Sequence, residues 1–278
     1  HFLFPHIAIL TGIAWDHINV FPTFDFYLEQ FRIFIGMIEP GGLLIYNETD
    51  PVLKELVETV APEIRKTGYG IPEHRVAGGS TSVRLEGISQ ELQVFGTHNL
   101  LNLQAAWLVC RELDVPLKTF LQQIAGFAGA SKRLELLGEK GNTRVYRDFA
   151  HAPSKVKATI AAMKEQFPDP ELIAVLELHT YSSLQAGFMS EYKGVLDPAD
   201  QALVYYSAHA LELKRLPPLD PETVRKGFGT PGLAVISSVQ ELSAWLRAKS
   251  YENSNLLLMS SGNYDGLDIA TFVKEITA

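Results

Sequence analysis

The chain has 278 residues, of which 46% are hydrophobic and 20% charged, and this composition excludes a disordered or fibrous protein. Its length favours two globular domains, because a domain typically has about 100 to 200 residues. The net charge of -8, with no basic run, argues against nucleic acid as a partner. Cys110 is the single cysteine, which excludes a disulfide framework or a thiolate metal site and favours the cytoplasm.

The N-terminal stretch is apolar, but it is interrupted by Pro5 and Gly12 and ends at Asp16. It is shorter than the roughly 20 apolar residues that a membrane span needs, and it lacks the basic start and the cleavage site of a signal peptide. We therefore expect no membrane association. The chain opens on His1 with a predicted strand that has no preceding partner, so we expect part of a longer polypeptide.

Strands and helices alternate in the first half of the chain. An early apolar run predicts a buried strand, Thr23 precedes the first helical period, and Pro51 takes the first position of the second helix. The predicted elements are a strand over 7–13, a helix over 24–38, a strand over 43–46, a helix from 51, a hairpin over 82–85 and 92–95, and helices over 99–113 and 117–124. The small, glycine-rich stretch 125–131 predicts a hinge, so we assign one domain to residues 1–125 and another to residues 126–278.

The second half alternates more regularly. Strands are predicted over 143–148, 172–178, 203–206, 233–236 and 256–259, and helices over 153–167, 183–194, 221–227, 239–246 and 269–276. Because parallel strands need long crossover connections, five strands joined by helices predict a mostly parallel, doubly wound α/β sheet. Open sheets of this kind bind ligands at the carboxyl ends of their strands.

Two sequence patterns bear on nucleotide binding. Residues 227–232 fit the dinucleotide fingerprint G-x-G-x-x-G in letters, but they follow a predicted helix, whereas the mechanism needs a preceding strand and a following helix. We interpret these glycines as a loop that ends the helix, which disfavours a nicotinamide dehydrogenase. The chain contains no Gly-Lys dipeptide, so it has no Walker A loop to hold a triphosphate.

Polar residues cluster at the ends of several predicted elements. Asp16 and His17 follow a strand, where His17 is either a metal ligand or an ordinary polar residue at a strand end. His98 and Asn99 begin a helix, where capping is the simpler interpretation and ligand binding the alternative. The candidates that follow three strands of the second sheet are Asp148, His151, His179, Tyr181, Ser182 and Ser260. Their convergence at one edge predicts a lined crevice.

Several of these motifs, taken in order, resemble the Mur ligase family, the ATP-dependent amide-forming enzymes of peptidoglycan synthesis. They are Thr11-Gly-Ile-Ala-Trp-Asp16-His17, Asn47-Glu-Thr-Asp50, Gly96-Thr-His98-Asn99-Leu-Leu-Asn102, Lys132-Arg133-Leu-Glu-Leu and Asp148-Phe-Ala-His151-Ala-Pro153. Within the family, residues 133–139, the strand over 174–177 and residues 259–262 are most similar to the murein peptide ligase branch.

The resemblance implies a three-domain enzyme, of which this chain holds the C-terminal half of a central α/β ATPase-type domain and a doubly wound, Rossmann-like C-terminal domain. It implies ATP and Mg2+ as cofactors, with His17 catalytic and at the magnesium site. The implied nucleotide contacts are His98, Asn99, Arg133 and Asp148. The implied contacts to the incoming peptide are His151, His179, Tyr181, Ser182 and Ser260.

The chain departs from the family pattern at several positions. Asn19 stands where the family usually has Asp, Arg147 where it often has a first Asp, and Ala152 where it has a second His. The loop over 178–182 also differs from the Pro-Arg-Ser-Asn-Thr that murein peptide ligases usually carry. These departures affect the peptide-binding assignments more than the nucleotide-binding ones.

The implied function is ATP-dependent ligation of L-alanyl-γ-D-glutamyl-diaminopimelate to UDP-N-acetylmuramate through an acyl phosphate, in peptidoglycan recycling. The expected partners are UDP-N-acetylmuramate and cell-wall peptide. The chain alone is expected to be inactive, because it has no triphosphate-binding loop. The alternatives are a UDP-N-acetylmuramate L-alanine ligase and a non-catalytic module that binds nucleotide or peptide.

Overall fold

The computed structural model describes residues 3–16, 18–60 and 63–278. The chain divides into two compact units, His1–Ala128 and Gly129–Ala278. Both units combine strands and helices, which confirms the predicted α/β class. The assignment of each unit to a domain of a larger enzyme stays a prediction. None of the helices that the structure describes combines the length and the apolar character of a membrane span.

The first unit contains two small sheets. Its elements are β1 Ile7–Leu10, α1 Phe24–Gly36, β2 Leu43–Asn47, α2 Pro51–Thr59, β3 Arg65–Tyr69, β4 Glu73–Ala77, β5 Ser80–Leu85, β6 Ile88–Leu92, α3 Thr97–Glu112 and α4 Leu117–Ala125. In the described residues, β1, β2 and β3 form a parallel sheet and β4, β5 and β6 an antiparallel one. Helices α1 and α2 bury one face of the parallel sheet, while α3 and α4 pack on the antiparallel sheet.

The second unit is built around one large sheet. Its elements are β7 Glu135–Lys140, β8 Thr143–Asp148, α5 Pro153–Gln166, β9 Glu171–Glu177, β10 Gln201–Tyr205, α6 Ala208–Leu213, α7 Pro221–Phe228, β11 Ala234–Ile236, α8 Val239–Arg247, β12 Ser254–Met259 and α9 Ile269–Thr277. The strand order is β11-β10-β9-β12-β8-β7. Every pairing is parallel except that of β7 with β8, so the predicted mostly parallel sheet is confirmed.

The two edge strands of this sheet are irregular. β11 is only 3 residues long. The register of β7 against β8 shifts between Leu136 and Gly138. Gly138 also packs closely on α9, because a Cβ at this position would lie 2.8 Å from Val273 Cγ1.

Three strands are absent from the sequence-based prediction, namely β3, β4 and β7. Their residues are mostly polar and only partly buried, so they lack the apolar runs that predict the other strands. The helix predicted over 183–194 is wrong. Two short 3-10 turns, Ser182–Leu184 and Ala186–Tyr192, take its place and bury Phe188 and Tyr192.

The second strand of the predicted hairpin is also displaced, since it ends at Leu92 instead of beginning there. Glu86 and Gly87 form the turn with φ values of 48° and 85°. A two-residue turn with both residues left-handed is the turn that matches the twist of paired strands. It brings Ile88 directly opposite Leu85, so the returning strand starts earlier than its apolar residues indicate.

Candidate functional site

Three adjacent strands of the second unit end in polar residues at one edge of the sheet, the edge formed by the carboxyl ends of its parallel strands. β8 ends at Asp148, β9 ends at Glu177, and Ser260 follows β12. β12 lies between the other two strands. The Ser260 N–H donates to the Asp148 carbonyl at 2.9 Å, which extends the strand pairing into the loop. The structure therefore brings Asp148, Ser260 and the loop containing His179 to the edge at which parallel sheets bind ligands.

The carboxylate of Glu177 lies at the centre of this edge and is only 2% exposed. Its Oε2 accepts hydrogen bonds from the Ser260 hydroxyl and from the Tyr264 N–H, the latter at 2.9 Å. Its Oε1 lies 3.7 Å from His179 Nδ1. The Ser260 hydroxyl oxygen in turn accepts from the Gly262 N–H at 2.7 Å. One buried carboxylate thus contacts both the loop after β9 and the loop after β12.

The loop after β12 is tightly packed and strained. A Cβ at Gly262 would lie 2.7 Å from both Cγ and Nδ1 of His179, so a larger residue requires a neighbouring side chain to move. Tyr264 and Asp265 follow with φ values of 52° and 55°, a left-handed conformation that is costly for residues other than glycine. The buried Tyr264 hydroxyl donates to the Met259 carbonyl at 2.9 Å. Burial raises the pKa of this phenol well above its ordinary value, so the hydroxyl remains a donor.

Asp148 is 4% exposed, and its carboxylate binds backbone groups near the beginning of the second unit. Its Oδ2 accepts from the Leu134 N–H at 2.6 Å. Its Oδ1 accepts from the Ala150 N–H at 2.6 Å and from the Thr159 hydroxyl at 3.3 Å. Because Leu134 has a left-handed φ of 46°, the carboxylate of Asp148 stabilises a strained turn. Its predicted contact with a nucleotide stays a prediction.

Arg133 lies in the same turn and is exposed. Its guanidinium carbon lies 4.9 Å from the centre of the Phe149 ring, a cation–π contact. Nearby, Glu135 accepts the Lys132 N–H at 2.8 Å and pairs with Arg147 at 2.9 Å. The Arg147 guanidinium, and then the Lys132 N–H, lower the pKa of the Glu135 carboxyl. The backbone on both sides of Arg133 is thus fixed while its charged group remains accessible.

The residues predicted to contact the incoming peptide differ in exposure. The His179 side chain is 35% exposed and Tyr181 is 39% exposed. His151 and Ser182 are buried, at 5% and 3% exposed. The His151 Nδ1 lies 2.8 Å from the Phe149 carbonyl, within hydrogen-bond distance. Of these four residues, His179 and Tyr181 are the ones that reach the surface.

In the first unit, the two polar residues of the Asn-x-x-Asp turn hold the segment that follows β1. Asn47 Nδ2 donates to the Thr11 carbonyl at 3.1 Å. Asp50 Oδ2 accepts from the Ile13 N–H at 2.6 Å, while its Oδ1 caps α2. Through these bonds, the Asn-x-x-Asp turn fixes the backbone at Thr11 and Ile13, which belong to the motif that begins at Thr11.

His17 is the predicted catalytic residue and magnesium ligand, and it lies outside the described residues. Asp16, beside it, is 8% exposed. Across residues 3–16, 18–60 and 63–278, no group of three or more His, Cys, Asp or Glu side chains could hold a metal ion. The magnesium site at His17 therefore stays a prediction.

The candidates at the start of α3 do not occupy its capping position. The N-cap is Gly96, with a φ of 87°, and His98 and Asn99 lie inside the first turn, where both are half-buried. Asn99 Nδ2 donates backwards to the Phe95 carbonyl at 2.9 Å. The interpretation of His98 and Asn99 as helix caps is therefore wrong. Their contact with a nucleotide stays a prediction.

The glycines of residues 227–232 have structural roles. Gly229 ends α7 in the left-handed conformation, with a φ of 65°. Gly227 packs on Met189, where a Cβ would lie 2.4 Å from the Met189 Cβ. The strand that follows is β11, so the order is helix, loop, strand. The interpretation of these glycines as a helix-ending loop is confirmed.

Sequence reasoning misses Glu177 and Tyr264 as components of the site. Glu177 closes the strand Glu171–Glu177, whose preceding five residues are all apolar and buried. A carboxylate that ends a buried apolar strand is itself a signal, because a buried charge needs partners. Tyr264 gives no comparable signal, since its left-handed backbone is visible only in the structure.

Comparison with known proteins identifies the family of this chain. Residues 1–110 match the Mur ligase middle domain, and residues 132–262 match the glutamate ligase domain of Mur ligases. The chain belongs to the Mur ligase family.

Curated relatives include the UDP-N-acetylmuramate–L-alanine ligase of Mycobacterium ulcerans, which is 32% identical in an alignment 222 positions long, gaps included, that covers 72% of this chain and 45% of that protein. The enzyme of the same name from Mycolicibacterium gilvum is 30% identical in an alignment 292 positions long, gaps included, that covers 99% of this chain and 60% of that protein. The chain thus spans about half the length of the curated relatives it matches.

Solved structures share the fold at low sequence identity. A UDP-N-acetylmuramate–alanine ligase from Thermotoga maritima has a TM-score of 0.65 and 17% identity, over 98% of this chain and 59% of that one. A murein peptide ligase from Psychrobacter arcticus has a TM-score of 0.63 and 19% identity, over 99% and 58%. A MurF ligase from Thermotoga maritima, in complex with ADP, has a TM-score of 0.70 and 17% identity, over 99% and 62%.

Proposed function

We propose that this chain is part of an ATP-dependent ligase that joins UDP-N-acetylmuramate to an amino acid or peptide through an amide bond. Its family membership and its curated relatives support the proposal. The observation that carries it is the edge of the second sheet, where Asp148, Glu177 and Ser260 meet beside the exposed His179. We place this enzyme in the cytoplasm, on the basis of its single cysteine.

We assign residues 1–125 to the C-terminal half of a nucleotide-binding domain and residues 126–278 to the domain that receives the acceptor. The nucleotide contacts that we propose are His98, Asn99, Arg133 and Asp148. An exposed guanidinium such as that of Arg133 suits a phosphate group, and a carboxylate suits a ribose hydroxyl. Magnesium, when bound, would neutralise phosphate charge, and His17 is its predicted ligand.

The proposed reaction has two steps. The lactyl carboxylate of UDP-N-acetylmuramate attacks the γ-phosphorus of ATP, which gives an acyl phosphate and ADP. The acceptor amine then attacks the acyl carbon, the amide bond forms, and inorganic phosphate and a proton leave. Correct placement of the amine supplies much of the rate, because positioning turns a bimolecular step into an effectively unimolecular one. The acceptor contacts that we propose are His151, His179, Tyr181, Ser182 and Ser260.

L-Alanine is the acceptor that the relatives support best, since the curated proteins are named UDP-N-acetylmuramate–L-alanine ligases. The tripeptide L-alanyl-γ-D-glutamyl-diaminopimelate is the second candidate. It is favoured by the strand over 174–177 and by residues 259–262, which resemble those of murein peptide ligases. The first acceptor implies cell-wall synthesis and the second implies recycling.

Initial rates of the full-length enzyme with the two acceptors, at equal concentration, test the proposal. ADP release must depend on both UDP-N-acetylmuramate and the acceptor, and we expect the faster rate with L-alanine. A faster rate with the tripeptide would assign the enzyme to the recycling branch instead. Nucleotide binding without ADP release with either acceptor would contradict the ligase and favour a non-catalytic module.

A further inference from the structure

We propose that Glu177 is a positioning residue that fixes the loop after β9 and the loop after β12 against each other before the acceptor binds. The inference deepens the proposed function in one respect, because it takes the acceptor to bind at this edge. The structural part of the inference does not depend on which acceptor is used.

The hydrogen bonds of Glu177 begin where the backbone pairing ends. β9 and β12 pair as far as Leu176 and Met259. Beyond that point the Glu177 side chain connects the two segments, since its Oε2 accepts hydrogen bonds from the Ser260 hydroxyl and from the Tyr264 N–H. A carboxylate is unfavourable in a buried position unless it is hydrogen-bonded. The position of Glu177 at the end of an apolar strand is therefore explained by these bonds.

The loop that Glu177 holds does not have a relaxed backbone. Tyr264 and Asp265 both have left-handed φ values, and such residues keep this conformation only where their surroundings impose it. The Tyr264 N–H donates to the carboxylate, and its hydroxyl lies within hydrogen-bond distance of the Met259 and Val175 carbonyls. Without Glu177 the backbone N–H of Tyr264 loses its acceptor, so we expect the loop to relax.

The same carboxylate sets the position of His179. The His179 ring lies against Gly262, with no room for a Cβ between them, and its Nδ1 faces Glu177 Oε1 at 3.7 Å. A shift of the loop therefore removes the surface on which the ring rests. Because His179 is one of the proposed acceptor contacts, the effect of losing Glu177 falls on the acceptor and not on ATP.

Kinetics of the full-length enzyme separate this role from simple loss of stability. Glu177→Ala should raise the KM for the faster of the two acceptors about tenfold or more, as expected when about 1.4 kcal/mol of binding is lost, and change the KM for ATP less than about twofold. Glu177→Gln keeps one oxygen for Ser260 and Tyr264, so it should restore the acceptor KM to within about threefold of the wild type.

Thr143→Val is the matched control. Thr143 is buried at the opposite end of β8, where its hydroxyl donates to the Tyr251 carbonyl. This variant should lose stability through one buried hydrogen bond, with both KM values unchanged. If Thr143→Val raises the acceptor KM as Glu177→Ala does, or if Glu177→Ala raises both KM values equally, the positioning role is overturned.

Hydrogen exchange supplies a readout that does not need ligase activity. In the full-length protein, amides over 260–266 should exchange about tenfold faster in Glu177→Ala than in the wild type, and close to the wild-type rate in Glu177→Gln. Unchanged exchange in Glu177→Ala would overturn the inference even in an active ligase. If that variant does not fold, Ser260→Ala, which removes one donor to the same oxygen, must show the faster exchange instead. An inactive wild-type enzyme would contradict the proposed function alone.

Discussion

The Asp148 carboxylate accepts structural hydrogen bonds and is also proposed to bind the nucleotide. A mutation distinguishes these two roles. Its carboxylate accepts three hydrogen bonds, and Asp148→Ala leaves the donors on Leu134, Ala150 and Thr159 unpaired. We expect this variant of the full-length enzyme to lose about 2 to 4 kcal/mol in the free energy of unfolding and to show a KM for ATP about 10- to 100-fold higher. Denaturant titration and initial rates at varied ATP measure the two effects.

Thr159→Val is the matched control for Asp148→Ala. It removes only the longest of the three hydrogen bonds, at 3.3 Å, so stability should fall by about 1 kcal/mol and the KM for ATP should stay unchanged. If Asp148→Ala lowers stability while the KM for ATP remains at the wild-type value, Asp148 is structural and its assignment to the nucleotide is wrong.

Gly262 lies where the candidate site leaves no space for a side chain. In Gly262→Ala the added methyl group would lie 2.7 Å from the His179 ring and 2.8 Å from Glu177 Oε2, so one of them must move. We expect a loss of about 1 to 3 kcal/mol in the free energy of unfolding. Gly187→Ala is the control, because a Cβ there meets nothing within 4 Å, and it should change stability by less than about 0.5 kcal/mol. Equal stability of the two variants would contradict the packing.

At the level of elements, the end of α7 tests the role of the glycine-rich loop. Gly229 has a left-handed φ of 65°, so Gly229→Ala should cost about 1 kcal/mol, whereas Gly229→Asn should cost less because asparagine tolerates this conformation. Thermal unfolding compares the two variants. Both should bind ATP as the wild type does in the full-length enzyme. Weaker ATP binding in both would return these glycines to a nucleotide-binding role.

Elements with strong local signals are predictable from the sequence. α2 begins at Pro51, as predicted, because proline at the first helical position acts locally. The structure adds Asp50 as its N-cap, a second local signal that the sequence-based prediction did not use. The buried strand β8, Thr143–Asp148, also has its predicted bounds. The secondary-structure prediction fails where contacts between residues distant in sequence determine the conformation. β7 is a strand because it pairs with β8, and the 3-10 turn Ala186–Tyr192 is shaped by the burial of its aromatic residues.

The candidate site is likewise predictable from the sequence only in part. The sequence predicts that the loops after β8, β9 and β12 converge, since this follows from the order of a parallel sheet. It does not predict that Glu177 joins them, because its partners Ser260 and Tyr264 are 83 and 87 residues away. Nor does it predict that Ser182 is buried while Tyr181, its neighbour, is exposed.

At the level of the whole molecule, the connection between the two units is the segment that we expect proteases to cut first. Residues 127–130 have no regular structure, and Phe127 is 45% exposed. Brief treatment with chymotrypsin should cleave after Phe127 and leave two resistant fragments that correspond to the units. Phe127→Ala should slow this cut. A first cut inside either unit would contradict the division, and mass spectrometry of the fragments decides.

The irregular edges of the large sheet have a consequence for the protein in concentrated solution. An exposed, regular edge strand is a template on which another molecule can add a strand, and this leads to aggregation. Here one edge offers the 3 residues of β11, and the other offers β7, whose hydrogen-bonding pattern is interrupted between Leu136 and Gly138. Neither edge presents a long, flat ladder. The second unit can therefore be crowded against copies of itself without its sheet continuing from one molecule into the next.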